Sequence, residues 1–149
     1  MRYLSILFIL FLLTYAGFSQ SPSKETLSGD TARWTLERCV NSFSFADTVG
    51  TAAGYQYWFA DKNFLDGQTL KLSVVKPHAA THPPHAHTED EFFFVLEGKA
   101  RLFLAGDSID VLPYSSFYCP SGIEHGIRNA GDSELKYLVI KKYLLKKEK

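Results

Sequence analysis

Four side chains in this chain have the types and spacing to hold a metal ion together: His85, His87, Glu91 and His125. His85 and His87 stand two apart in "HPPHAHTEDEFFFVLEG" (residues 82–98), so on an extended segment both imidazoles project from one face. Glu91 follows four residues later and keeps that face if the chain stays extended or turns once. His125 comes far downstream in "PSGIEHGIRN", after a turn built by Pro120 and Gly122, and a closed β fold can carry it opposite the first cluster. Three neutral imidazoles and one carboxylate make a mixed N/O set that suits one divalent transition metal, among Mn, Fe, Ni, Cu, Zn or Co. An octahedral ion held this way keeps open positions, which separates a catalytic site from a closed structural one.

Other residues around the cluster have two readings each. His82 is a candidate general base or substrate ligand, since an imidazole titrates near neutral pH, or else an exposed loop histidine; His78 has the same two readings and the weaker case. Arg101, three residues after Gly98, is a candidate ligand for an anionic substrate if it points inward and a surface charge if it does not. Tyr57, in the aromatic stretch "AAGYQYWFADKNF" (52–64), is a candidate substrate-binding residue; that stretch can form a pocket wall, a dimer contact or ordinary core. Glu89 and Asp90 are expected to face solvent, with a hydrogen bond to a ligand histidine as the alternative.

Short strands must position these residues. "LKLSVV" alternates, with Leu70, Leu72 and Val74 on one side, and "FFFVLEGKARLFLAGDSIDVL" reads as successive strands broken at Glu97-Gly98 and Gly106-Asp107. "ELKYLVIKKY" is the last strand, after the turn at residues 129–132. Gly, Pro and Asn/Asp interrupt every window long enough for a helix, and β-branched and aromatic residues fill the gaps. The fold class expected is all-β, with sheet edges hidden by closing a barrel or by packing two sheets as a jelly roll. Phe92 to Leu96 is apolar on both faces, so one face lines the interior and the other meets a second layer, for which a second subunit is a candidate.

The whole chain, 149 residues, reads as one domain behind an N-terminal export signal. Residues 1–19 have a basic start, an apolar core and small residues at Gly17 and Ser19, the pattern of a cleaved secretory signal peptide. The apolar run from Tyr3 to Phe18 falls short of the roughly 20 residues that span a bilayer, so no lasting membrane anchor is expected. Residues 20–31 read as a flexible leader, and residues 32–149 as the domain. Export would deliver it to the periplasm or outside the cell. Acidic and basic residues balance at 16 each, and losing Arg2 tips the balance by one towards acid, so nothing draws the chain to nucleic acid. The lysines of "KKYLLKKEK" are expected to form a solvated, partly frayed end. Cys39 and Cys119 could bridge in an oxidising compartment or stay buried free thiols.

Taken together, the spacings are His85-x-His87-x3-Glu91-x6-Gly98 and then Pro120-x-Gly122-x2-His125-x3-Asn129. In this the chain resembles the cupin superfamily, whose two signatures are written G-x5-H-x-H-x3,4-E-x6-G and G-x5-P-x-G-x2-H-x3-N. The resemblance covers about residues 65–143 and departs at the opening glycines, which fall on Ala79 and Tyr114. It implies a single-domain β-barrel with His85, His87, Glu91 and His125 as metal ligands, aimed by Gly98, Pro120, Gly122 and Asn129. It also implies a metal-dependent enzyme on a small chelating molecule, of dioxygenase or of sugar or sugar-acid isomerase or lyase type. A metal-loaded cupin that binds a small molecule or sugar without turning it over is the alternative. A homodimer is expected; a transcription-factor sensor is not, since no helix-turn-helix fits in the sequence.

Overall fold

Two hairpins show how local sequence builds the sheets. The computed structural model describes residues 34–145; the signal peptide read over 1–19 and the leader over 20–31 lie outside the described residues. The strands there are β1 (Val49–Thr51), β2 (Gly54–Leu65), β3 (Gln68–Val75), β4 (Glu91–Glu97), β5 (Ala100–Leu104), β6 (Asp107–Val111), β7 (Ser116–Cys119), β8 (His125–Asn129) and β9 (Leu135–Lys142). Asp66-Gly67 joins β2 to β3 and Ala105-Gly106 joins β5 to β6, and all four residues have positive φ. That is the two-residue turn whose twist matches the flanking strands. At Gly98, between β4 and β5, φ is 85° and a Cβ would lie 2.5 Å from the carbonyl oxygen of Glu134, so only glycine fits.

The strands form a six-stranded sheet, ordered β1-β2-β3-β9-β4-β7, and a three-stranded sheet, ordered β6-β5-β8, with every pairing antiparallel. Phe93, Val95, Leu135, Tyr137 and Val139 of the large sheet pack in one core with Ala100, Leu102 and Ile127 of the small one. The all-β barrel expected from the sequence is what forms. Helix among the described residues amounts to α1 (Leu36–Cys39) and one 3-10 turn, Phe45–Asp47.

The sense of each alternation matters for the site. On β4, Glu91, Phe93 and Val95 are buried and point in, while Phe92 is half exposed on the outer face. On β3 the alternation runs the other way round from a simple core strand: Lys71 lines the interior cavity with Ser73, while Val74 lies on the opposite face with Leu70 and Leu72. Part of that outer face is covered by an aromatic cluster in which Phe43 packs on Phe45 and Tyr57 (centroids 5.2 and 5.1 Å) and Tyr57 on Phe59 (4.9 Å). Most of the stretch 52–64 thus lies in β2, the longest strand among the described residues, with Tyr57 packed in this outer cluster. Cys39 and Cys119 are both free; Cys119 is buried as expected, whereas Cys39 is exposed.

Candidate metal centre

One backbone contact brings the two halves of the motif together. His85 and His125 form an isolated antiparallel bridge in which each N–H donates to the other's carbonyl at 2.9 Å. Residues 85–90 are otherwise irregular, yet the imidazoles of His85, His87 and His125 converge, their ring nitrogens within 4.8 Å of one another. Glu91, at the start of β4, reaches the cluster from below: its Oε2 lies 3.4 Å from His87 Nε2 and 3.3 Å from His125 Nε2. The Gly122 N–H donates to His87 O at 2.8 Å, and Asp90, exposed, accepts from Tyr118 Oη and the Ser121 N–H at 2.9 and 3.0 Å. These bonds fasten the His87–Glu91 segment to the Pro120–Gly122 turn.

The tautomers follow from the partners. His87 Nδ1 lies 2.8 Å from Glu89 O and His125 Nδ1 lies 2.8 Å from Ile123 O. A carbonyl only accepts, so both Nδ1 atoms carry a proton, and each ring turns its Nε2, the atom that can bind a metal, towards the Glu91 carboxylate. Two ring nitrogens and a carboxylate oxygen thus converge on one point. His125 is fully buried and its Nε2 has no hydrogen-bond partner, nor has His85 Nδ1. Buried polar atoms left this way are costly, and a cation between them removes the cost. Burial, and then the neighbouring His82, His125 and His87, hold the His85 imidazole below its ordinary range against a smaller pull from Glu91, which keeps it neutral for ligation. The donor set therefore fits a transition metal. Cys119 stands beside it, within 4.8 Å of ligand atoms of Glu91 and His125.

The scaffold residues explain the aim. Asn129, fully buried, donates from Nδ2 to Val75 O (2.9 Å) and Ser133 O (2.7 Å) and accepts at Oδ1 from the Gly131 N–H (2.9 Å). It ties the end of β8, which carries His125, to the end of β3 in the other sheet. Where the second signature has its opening glycine, Tyr114 takes φ 66°, so the backbone there keeps the shape a glycine would give. Near Ala79 the positive φ belongs to His78 (57°).

Beside the histidines lies a cavity of about 300 Å³, lined by Gln56, Lys71, Ser73, Thr81, His82, His85, Glu91, Phe93, Tyr137, Lys141 and Tyr143 among others. A larger, open cleft of about 920 Å³ runs along the outer side of β2 and α1 and holds none of the histidines. His82 is exposed at the mouth of the inner cavity, its ring 4.3 Å from that of His85. Arg101 and Tyr57 are not brought there. Arg101 alternates outward between Ala100 and Leu102 and binds Asp110 through Nε (2.6 Å) and Nη2 (3.0 Å), a surface pair that, with Lys99, holds the Asp110 carboxyl well below its usual range. Tyr57 sits on the outer face of β2 and hydrogen-bonds Asn41 and Ser42. His78 is exposed and paired with Asp132 at 2.9 Å. Glu89, expected in solvent, turns inward, 3.7 Å from His87 Nδ1 and 3.8 Å from Lys141 Nζ.

Sequence reading missed Lys71 and Lys141. Lys141, expected in a solvated tail, lies on β9 opposite Glu91 and is buried. The signal was present: Lys71 and Ser73 share the polar parity of "LKLSVV", and a strand beside a metal cluster turns its polar side inward.

The family model described as "Cupin domain" matches residues 71–141. Among solved structures, a Cupin 2 conserved barrel domain protein from Salinispora arenicola is similar at TM-score 0.59 and 17% identity, covering 70% of this chain and 87% of that one. A predicted oxalate decarboxylase from Thermotoga maritima (TM-score 0.58, 17% identity, 65% and 90% covered) and a polyketide cyclase from Streptomyces resistomycificus (0.58, 21%, 73% and 82%) share the fold. No curated protein is significantly similar in sequence. With both signatures in place, the barrel formed and the family model matched over residues 71–141, the chain carries a cupin domain and belongs to the cupin superfamily.

Proposed function

We propose that this chain is an exported, metal-dependent enzyme acting on a small molecule that chelates the metal, with His85, His87, His125 and Glu91 holding one divalent transition ion. The observation that carries the reading is the convergence of two Nε2 atoms and a carboxylate beside a polar cavity, with His125 Nε2 buried and without a hydrogen bond. Bound there, the ion supplies Lewis acidity or oxygen activation towards a substrate presenting two oxygens. Phe93 and Val139 provide a dry wall, and Ser73, Gln56 and Thr81 offer hydrogen bonds that orient the substrate. His82 at the mouth is the group placed to take or return a proton, being solvent-connected and adjacent to His85. Dioxygenase and sugar-acid isomerase or lyase chemistry both meet this description.

A test compares substrate consumption by the metal-loaded protein and by His82→Ala across oxygen-uptake, isomerase, lyase and decarboxylase panels. Turnover that falls at least tenfold in the variant with metal content unchanged supports the enzyme. Absence of turnover on every panel, with tight ligand binding retained, leaves the non-catalytic binding cupin as the better reading. We also propose a homodimer, formed on the outer face where Tyr118, Phe92 and Ile140 lie side by side across β7, β4 and β9 and are each 39–46% exposed.

A further inference from the structure

Two lysines that belong to neither signature point into the metal cavity, and they define what the cavity accepts; this rests on the metal-centre reading above. Thr69 pairs with Lys141 and Lys71 with Val139, so the two lysines stand on the same inner face of neighbouring strands β3 and β9, one pleat apart. Lys141 is buried, with Glu89 Oε2 3.8 Å from its Nζ and the Tyr143 ring 5.0 Å away. Lys71 has no ion pair among the described residues; its Nζ lies 5.0 Å from the centroid of Trp58. A cation–π contact offsets only part of the cost of taking an ammonium out of water. Burial lowers the Lys71 pKa, Glu91 acts against it, and Lys141 adds to the lowering.

The charges facing this space can be counted from every element around it. Glu91 comes from β4, Glu89 from the segment before it, Lys71 from β3 and Lys141 from β9; imidazoles bound to the metal add no charge, and His82 stands exposed at the mouth. Lys141 and Glu89 offset each other. Glu91 offsets half of a divalent ion. One positive charge then remains at the metal and one on Lys71, which lines the same cavity together with uncharged polar groups such as Gln56, Ser73 and Thr81. A partly enclosed pocket with two uncompensated positive charges favours a ligand carrying two negative ones.

We propose that Lys71 is a substrate-positioning residue and that the cavity takes a small organic dianion, such as a dicarboxylate or an acidic hydroxy or oxo acid, chelated to the metal at one end and held by the Lys71 ammonium at the other. A volume of about 300 Å³ sits at the small end of ligand sites, which suits a compact acid and excludes a polymer chain from full enclosure. The arrangement separates two jobs: the metal ligands fix the chelating oxygens, and Lys71 selects for the second charge. A neutral chelator of the same size gains nothing from Lys71.

Isothermal titration of the zinc-loaded protein with oxalate, and separately with neutral dihydroxyacetone, tests this without relying on turnover. Lys71→Met keeps the stem and removes the charge; Lys71→Arg keeps a charge. Losing a charge-assisted contact is expected to weaken oxalate about tenfold or more in Lys71→Met, with zinc stoichiometry intact and dihydroxyacetone unaffected, and to weaken it less in Lys71→Arg. Circular dichroism confirms that each variant is folded, and Lys71→Gln replaces Lys71→Met if it is not. Oxalate bound equally by wild type and Lys71→Met, or not bound by zinc-loaded wild type, overturns the proposal while leaving the metal centre standing. Failure of the wild-type protein to take up zinc overturns the metal-centre reading instead, and this inference with it.

Discussion

Replacing Asn129 should damage the protein more than the loss of one side chain on a surface turn would suggest. Its amide satisfies three backbone groups at once, Val75 O, Ser133 O and the Gly131 N–H, in a spot with no solvent access. At about 1 kcal/mol for each hydrogen bond lost at a buried group, Asn129→Ala should cost about 3 kcal/mol, a large share of the stability of a small domain. Asn129→Asp is the sharper variant. Its retained oxygen still accepts from Gly131, but a second carboxylate oxygen replaces the NH2 that faced two carbonyls, so this nearly isosteric change should cost at least as much as alanine at neutral pH. Urea denaturation of the metal-free proteins, with m-values compared to guard against a changed unfolded state, gives both numbers. A loss below about 1 kcal/mol for alanine, or an aspartate variant as stable as wild type, would refute the view that Asn129 fastens β8 to β3.

Burial, and secondarily Glu91, push the Cys119 thiol of the metal-free protein up to about 12, so iodoacetamide at pH 8 should label exposed Cys39 while sparing Cys119 until the protein unfolds. Because this folded-state pKa exceeds the unfolded one, its contribution to stability is full below about pH 8.5 and shrinks as pH rises towards 12, which alkaline urea titrations of wild type and Cys119→Ser can compare. Gly98→Ala should destabilise by about 2 kcal/mol or more, since its Cβ meets the Glu134 carbonyl at a positive φ, whereas Tyr114→Gly, at an exposed positive-φ position, should change stability by less than about 1 kcal/mol in either direction; thermal melts distinguish the two. Phe92→Glu, which puts a charge in the middle of the exposed aromatic face, should turn a dimer into a monomer in light scattering without altering metal content.

Much of the site was legible because the ligands are set by spacing within short segments. His85, His87 and Glu91 lie within seven residues, and the turn at Pro120–Gly122 fixes where β8 begins, so the pairing of His85 with His125 was the main long-range unknown. The strands from residue 91 to 111 were equally readable, because glycine at positive φ ends β4 and β5 in the chain itself. What stayed hidden was the sense of the alternation. Leu70, Leu72 and Val74 mark one face of β3 and Lys71 and Ser73 the other, but only the metal cluster beside the strand and the aromatic cover outside it decide that the polar face turns inward. The same inversion concealed Lys71, whereas Lys141 continues the buried parity of Leu135, Tyr137 and Val139 and was hidden by being read into the lysine-rich tail. Arg101 misled for the opposite reason: its distance from the signature glycine was right for a second strand, but alternation from buried Ala100 turns it outward to Asp110. Glu89 escaped because residues 85–90 are irregular, where neither a period of two nor one of 3.6 assigns a face.

The most direct test of the metal centre is elemental analysis of the purified protein beside a His85→Ala/His87→Ala double variant, both expressed and reconstituted in the same way. About one equivalent of a transition metal in the wild type and little in the variant is the result the convergence of His85, His87, Glu91 and His125 predicts. Equal metal in both proteins, or none in either after reconstitution, would contradict it.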